Sequence, residues 1–200
     1  MEIDTLEKLE ALYGQPKPAS LRKVADRITP EYRKWIEAAP FCALATVGPE
    51  GTDCTPRGDA GCVTVIEDDK TIAMPDRRGN DRIDTLRNIV RDPRCSILYL
   101  VPGSDMVIRV NGRGRIVADA DRLARYAMQG KAPRSVLLIT IEELYFQCAR
   151  AVMRAGLWGA RPDISDLPSA GDILAAMTNA EVGGPQYDKD WPARAAKSMW

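Results

Sequence analysis

The sequence predicts a mainly β protein, an antiparallel barrel with helices at its periphery, folded as a single domain. Two observations carry this. From residue 41 to residue 141, short apolar runs rich in Val, Ile and Thr alternate with turn residues, giving about seven strands in ~100 residues. Only two segments within that stretch have helical periodicity, which disfavours the repeated βαβ units of a parallel sheet.

The elements follow in chain order. Leu6, Leu9 and Tyr13 share one face of a short helix that Gly14 ends. Gln15-Pro16-Lys17-Pro18 breaks the chain. Ser20 is expected to cap a second helix running to about Arg27, and Thr29-Pro30 opens a third that Pro40 stops. The strand-like runs are Phe41–Val47, Thr52–Pro56, Cys62–Ile66, Thr71–Met74, Cys95–Val101, Met106–Val110, Gly112–Ala118 and Ser135–Ile141. Gly48-Pro49-Glu50-Gly51, Asp68-Asp69 and Pro102-Gly103 read as hairpin turns. Asp81–Arg91 and Asp119–Met128 are the two interrupting helices, the latter with acidic residues in its first turn. After Gly159 one helix is expected at Ser169–Thr178, followed by a polar, partly disordered end. The domain therefore divides into a helical extension (1–39), a barrel core (40–158) and a C-terminal extension (159–200), with no internal repeat.

Composition narrows the function. Apolar residues make up 45% and charged residues 28% of the 200 residues, as in an ordinary globular protein. Lys+Arg and Asp+Glu are both 28, so the chain lacks the positive excess on which nucleic-acid backbone binding rests. No apolar run approaches the ~20 residues of a membrane span. The acidic N-terminus lacks the basic-then-apolar order of a signal peptide, so a cytoplasmic location is expected. Five cysteines, Cys42, Cys54, Cys62, Cys95 and Cys148, form no CxxC pair; four lie in apolar stretches, and buried, inert thiols are expected. The chain has no histidine, which excludes Ser-His-Asp and Cys-His catalysis and histidine metal sites. Hard chemistry would then come from a cofactor.

Four segments are candidates for that chemistry. Pro75-Asp76-Arg77-Arg78-Gly79-Asn80-Asp81-Arg82 follows a strand and opens a helix, where free N–H groups and guanidinium donors suit a phosphate. A solvated basic loop capped by Asn80 or Asp81 accounts for the same residues. Arg57, in Thr55-Pro56-Arg57-Gly58-Asp59, lies at a strand end and is placed to reach the same anion or to pair with Asp59. Arg109, Asn111, Arg113 and Arg115 alternate onto one strand face, either solvated or lining a cofactor groove. Beyond a strand ending near Ile141, Cys148–Trp158 carries Arg150 and Arg154 and ends on Trp158. There Arg154 could meet a phosphate and Trp158 a ring, or both could simply pack.

Taken in order, FCALATVGPEG, TPRGD, IAMPDRRGNDRIDTLRNIVRDPRCSILYLVPG, IRVNGRGRI and ELYFQCARAVMRAGLW resemble the FMN-binding split barrel of the pyridoxamine 5′-phosphate oxidase superfamily, in particular its short bacterial FMN-dependent members. The resemblance implies a homodimer with FMN at the subunit interface and a small-molecule substrate. It implies phosphate contacts from Arg57, Asn80, Arg82 and the neighbouring Arg78. Met74, Pro75 and Asp76 would lie along the ribityl chain and ring, and Arg109, Arg154 and Trp158 would come from the second subunit. The substrate-gripping histidine and the C-terminal arginine motif of true pyridoxamine phosphate oxidases are missing, so that substrate is not implied. An FMN-dependent oxidoreductase, a non-catalytic flavin store or sensor, and the same barrel holding the deazaflavin F420 remain as readings. Haem lacks its commonest ligand here.

Overall fold

The computed structural model describes residues 2–199. Seven strands form one antiparallel sheet: β1 (Phe41–Gly48), β2 (Gly51–Gly58), β3 (Val65–Ile66), β4 (Thr71–Pro75), β5 (Arg94–Leu100), β6 (Val107–Val117) and β7 (Val136–Gln147). Their order is β2-β1-β5-β6-β7-β4-β3, which leaves β2 and β3 as edges. The barrel is therefore split, not closed by a continuous backbone ladder.

Inward-facing residues of the strands make one core. Leu44, Ile72, Met74, Ile97, Tyr99, Ile108, Val110, Ile139 and Leu144 meet inside the sheet and are all buried. Burying a side chain of this size is worth about 1.5–3 kcal/mol, so the interior dominates stability. Tyr99 is fully buried, and its hydroxyl shares a 2.9 Å hydrogen bond with Thr64 Oγ1, which removes the cost of a lone polar group.

The N-terminal helices are α1 (Leu6–Tyr13), α2 (Pro18–Arg22) and α3 (Pro30–Glu37). The first and third match the sequence reading: Thr5 and Thr29 cap them through their side chains. The second is shifted. Pro18 starts it, because its fixed φ suits the first helical turn, and Ser20 lies inside. The chain leaves the helix before Arg27 because Ala25 exchanges backbone hydrogen bonds with Leu144 of β7, 2.9 and 2.7 Å. This bridge joins the extension to the barrel, as does the fully buried Ile36 of α3.

Other boundaries move for identifiable reasons. The runs expected at 106–110 and 112–118 are one strand, β6, with a register irregularity against β7 between Asn111 and Gly112. The strand expected at Cys62–Ile66 pairs only at Val65–Ile66. The strand expected to end near Ile141 runs on to Gln147, paired to β6 throughout. The helix expected at 119–128 shrinks to α5 (Ala120–Ala124), since Met128 turns to pair with Lys131. After β7 come α6 (Arg150–Ala155), α7 (Ala170–Met177) and α8 (Gly184–Ser198). Ser169 caps α7 through a capping box. The polar end expected to be partly disordered is thus a 15-residue helix. Its Asp188 accepts from Ser169 Oγ at 2.5 Å and from the Gly171 N–H at 2.8 Å, tying α8 to the start of α7.

Helix α4 (Asp84–Arg91) lies across β1 and β6. Two glycines make room for it. A methyl at position 48 would overlap Asn88 Oδ1, and one at 114 would stand 2.9 Å from Ile89 Cδ1. Asn88 is buried, and its Nδ2 donates to Thr46 Oγ1 at 3.2 Å. Helix α4 is thereby seated on the barrel with its N-terminus at the split.

Candidate functional site

The split is spanned by side chains where the backbone ladder is interrupted. Arg57, near the end of edge strand β2, donates from Nη1 to Asp76 Oδ1 at 3.0 Å, just past the end of β4. Arg77 donates from Nε to Asp59 Oδ2 at 2.8 Å and from Nη1 to the Tyr126 carbonyl at 2.7 Å. The Asp59 side chain is only 5% exposed, and those of Arg57 and Asp76 are 24% and 21% exposed. These pairs lie far enough from solvent to hold the end of β2 to the end of β4, unlike exposed surface pairs.

Beside this seam opens a cleft of about 630 Å³, walled by residues 53–58 of β2, the loop 76–83, the first turn of α4, and Arg134-Ser135. The structure brings Arg57, Asp76, Arg78, Asn80 and Arg82 to it together. Arg57 Nε is buried and has no hydrogen-bond partner among the described residues. An unsatisfied buried donor of this kind costs about 1–3 kcal/mol, which a ligand oxygen would relieve. Thr85 Oγ1 donates to Asp53 Oδ2 at 2.5 Å across the floor.

The loop differs from its sequence reading in one respect. Helix α4 begins at Asp84, not Asp81, so Arg82 precedes the first turn and does not sit in it. Asp81 and Ile83 adopt left-handed φ values of 59° and 53°, which a helix cannot accommodate. Neither Asn80 nor Asp81 caps α4: Ile83 occupies the cap with no side-chain hydrogen bond, and Asn80 Oδ1 instead accepts from the Arg82 N–H at 3.1 Å. The first N–H groups of α4 are thus uncapped at the cleft. A β-branched residue at positive φ is strained, by about 1–3 kcal/mol, and such strain concentrates at functional sites.

The arginines at the cleft are not equivalent. Arg82 donates from Nε to Asp84 Oδ2 at 2.8 Å, and its side chain is 75% exposed. Arg78 is exposed and has no charged or hydrogen-bonded partner among the described residues. Arg134 donates to Asp81 Oδ1 at 2.9 Å. Arg134, Thr85 and Asp53, which also line the cleft, escape the sequence reading. Lys131 and Arg134 flank Ala132-Pro133 in a turn before β7, and a basic pair preceding a strand is the available signal.

The remaining expected site residues lie elsewhere. Met74 is buried in the barrel core and Pro75 is buried at the end of β4. Arg109 is on the outward face of β6, its guanidinium 5.1 Å from the Tyr145 ring centre. Arg154 is exposed on α6, and Trp158 Nε1 donates to the Ser104 carbonyl at 2.7 Å. In this chain these three do not line the cleft.

The expectation of buried, inert cysteines holds in part. Cys42 and Cys95 are buried, and burial pushes both thiols up to about 12. Cys54 and Cys148 are exposed. The Cys148 thiol is held below its ordinary value, chiefly by the backbone N–H of Arg150. Among the described residues no acidic, cysteine or histidine group is arranged to hold a metal ion, and no helix is long and apolar enough to cross a membrane.

Fold and site define a split-barrel protein with an anion-competent cleft on the barrel seam. The chain belongs to the pyridoxamine 5′-phosphate oxidase family, whose sequence profile matches residues 28–148. Among solved structures, HupZ from Group A Streptococcus is 23% identical at a TM-score of 0.46, covering 58% of this chain and 91% of that one. An F420 reductase is 18% identical at 0.44, covering 60% and 98%. An FAD-binding protein from Mesorhizobium loti is 17% identical at 0.43, covering 62% and 94%. No curated protein matches the chain. Helices α1, α2, α6, α7 and α8 lie outside the residues the family profile matches.

Proposed function

We propose that the seam cleft holds the phosphate end of FMN and that the protein is an FMN-dependent oxidoreductase acting on a small molecule as a homodimer. The observation that carries this is the buried, unpartnered Nε of Arg57 beside the unpaired Arg78 and the uncapped start of α4. Three kinds of donor converge where an anion would satisfy them together.

The residues have separate tasks. Arg57 supplies a part-buried guanidinium already oriented by Asp76, so little side-chain entropy is lost on binding. Arg78 supplies the unpaired charge, and Asn80 shapes the loop by accepting from the Arg82 N–H. Met74 and Pro75 contribute backbone and packing beside the cleft, since their side chains are buried. Arg109, Arg154 and Trp158 are assigned to the site of the partner subunit, because they are remote from the cleft of their own.

Bound flavin supplies hydride transfer, a chemistry that requires a stacked substrate but no histidine. What remains for the chain is to grip the phosphate, exclude water and present the ring. Without histidine, a proton would have to pass through a carboxylate, hydroxyl or solvent.

The test is the absorbance spectrum of the purified protein, followed by the mass of the released cofactor and an FMN titration of the stripped protein. Flavin bands, the FMN mass and saturable binding are expected. The mass of F420, or no binding of FMN at tens of micromolar, overturns the assignment. Reduction of the bound flavin by a nicotinamide donor would separate an enzyme from a passive carrier.

A further inference from the structure

Helix α8 belongs to none of the family-matched chain, yet its C-terminal half lies against the same loop that carries Arg78. Trp191, Ala195, Ser198 and Met199 face Gly58–Ala60 and residues 77–80 across an open cleft of about 640 Å³. Gly58 and residues 77–80 line both the seam cleft and this second cleft.

The two walls differ in chemistry. The α8 wall is apolar and aromatic. Trp191 is 54% exposed, and its ring stacks on Tyr187 with centres 6.4 Å apart and planes 12° apart. The guanidinium of Arg194 lies over both rings, 4.3 Å from Tyr187 and 5.6 Å from Trp191. The stack fixes Trp191 while its exposed surface adjoins the cleft. The opposite wall holds Arg77, consumed by Asp59 and the Tyr126 carbonyl, and Arg78, which has no such partner. An aromatic surface facing an unpaired guanidinium fits a flat apolar body that ends in an anionic group. A wholly apolar ligand would leave the guanidinium N–H donors not used by a phosphate unanswered, and a hydrophilic anion would leave the aromatic wall wet.

We propose that this second cleft binds an aromatic or similarly flat organic anion, its ring against Trp191 and Met199 and its charge on Arg78. This binding stands independently of the flavin reading. Arg78 then stands between the two ligands and links them, and the C-terminal hairpin sets specificity where the barrel alone would leave an open surface.

Calorimetric titration of the full-length, FMN-loaded protein with 2-naphthalenesulfonate tests this, with neutral 2-naphthalenemethanol as the charge control. The sulfonate is expected to bind at least tenfold more tightly than the alcohol. Trp191→Ala should weaken it at least fivefold, as should Arg78→Gln at FMN concentrations that saturate that variant, while Trp191→Phe retains most of the affinity. FMN affinity of Trp191→Ala should stay within twofold of the parent, which also shows that the variant folds. Equal binding of sulfonate and alcohol, or unchanged affinity in Trp191→Ala, overturns the proposal. So does conversion of a dimer to a monomer by Trp191→Ala, since the cleft would then be covered by a second copy. If FMN fails to bind but the sulfonate behaves as described, the flavin reading falls and the anion site stands.

Discussion

Two sets of arginines show how little residue type alone decides. Arg57 and Arg78 sit at the seam; Arg113 and Arg115 sit on the outward face of β6. Both sets lie on or beside strands and neighbour glycines. At the seam, Arg57 is three-quarters covered, oriented by Asp76, and left with a buried donor unsatisfied. On β6, Arg113 reaches Glu142 only at 3.9 Å with both side chains 53% exposed, and Arg115 is exposed. The inward face of the same strand carries Gly112 and Gly114, where backbone and α4 approach too closely for a side chain. Charge acquires a role where solvent is partly excluded and geometry is fixed; in open water it is screened.

The contrast can be broken or sharpened by substitution. The largest effect is expected from Arg57→Ala. Losing a charge-assisted contact costs about 1.5–3 kcal/mol, so FMN affinity should fall roughly 10- to 100-fold in a fluorescence titration. Retained affinity would mean that Arg57 serves only the seam. Gly114→Val comes next. It forces a branched side chain against Ile89 and Leu137, which should destabilise the fold by about 1–3 kcal/mol in urea denaturation and weaken FMN by unseating α4.

Asp76→Asn separates the two roles of Arg57. If the guanidinium serves a phosphate, removing its competing carboxylate should tighten FMN binding a few-fold even as the seam loosens. A loss of both together would assign the pair to structure alone.

A smaller effect is expected from pH. Cys42 and Cys95 titrate at about 12 in the folded chain against an ordinary value of 9.0. Their raised folded values mean that stability is fully present below pH 9 and declines as pH rises toward 12, because only the unfolded thiols ionise in that window. The urea midpoint should therefore fall between pH 8.5 and pH 10.5, roughly the window set by these values, and the double variant Cys42→Ala with Cys95→Ala should flatten that decline. Smallest of all, Arg115→Ala should leave stability within about 0.5 kcal/mol and FMN affinity within about twofold. A large effect there would move part of the site to the outward face.

Much of the molecule is legible in the chain. Alternation of apolar residues marks the strands, Thr29-Pro30 and Ser169 mark helix starts, and the order of motifs marks the family. The misreadings share a cause. Arg82 reads as helical because nothing local shows that Asp81 and Ile83 turn left-handed. Helix α8 reads as a polar tail because Gly183, Gly184 and Pro192 weaken it locally, whereas Asp188 stabilises it through contacts to α7. Arg134 escapes notice because it reaches the cleft only after the chain has folded back from β4 to β7.

The sequence by itself determined the strand pattern, the helix caps and the chemistry available: many guanidinium groups and no imidazole. These are set by side-chain periodicity and local hydrogen bonding over a few residues. Only the tertiary structure decided which guanidinium is buried with a donor unmet, which are already paired to carboxylates, and which cleft α8 overlooks. Those outcomes depend on groups distant in sequence meeting where water is partly excluded, and the energy of a charge is set by that surrounding, not by its place in the chain.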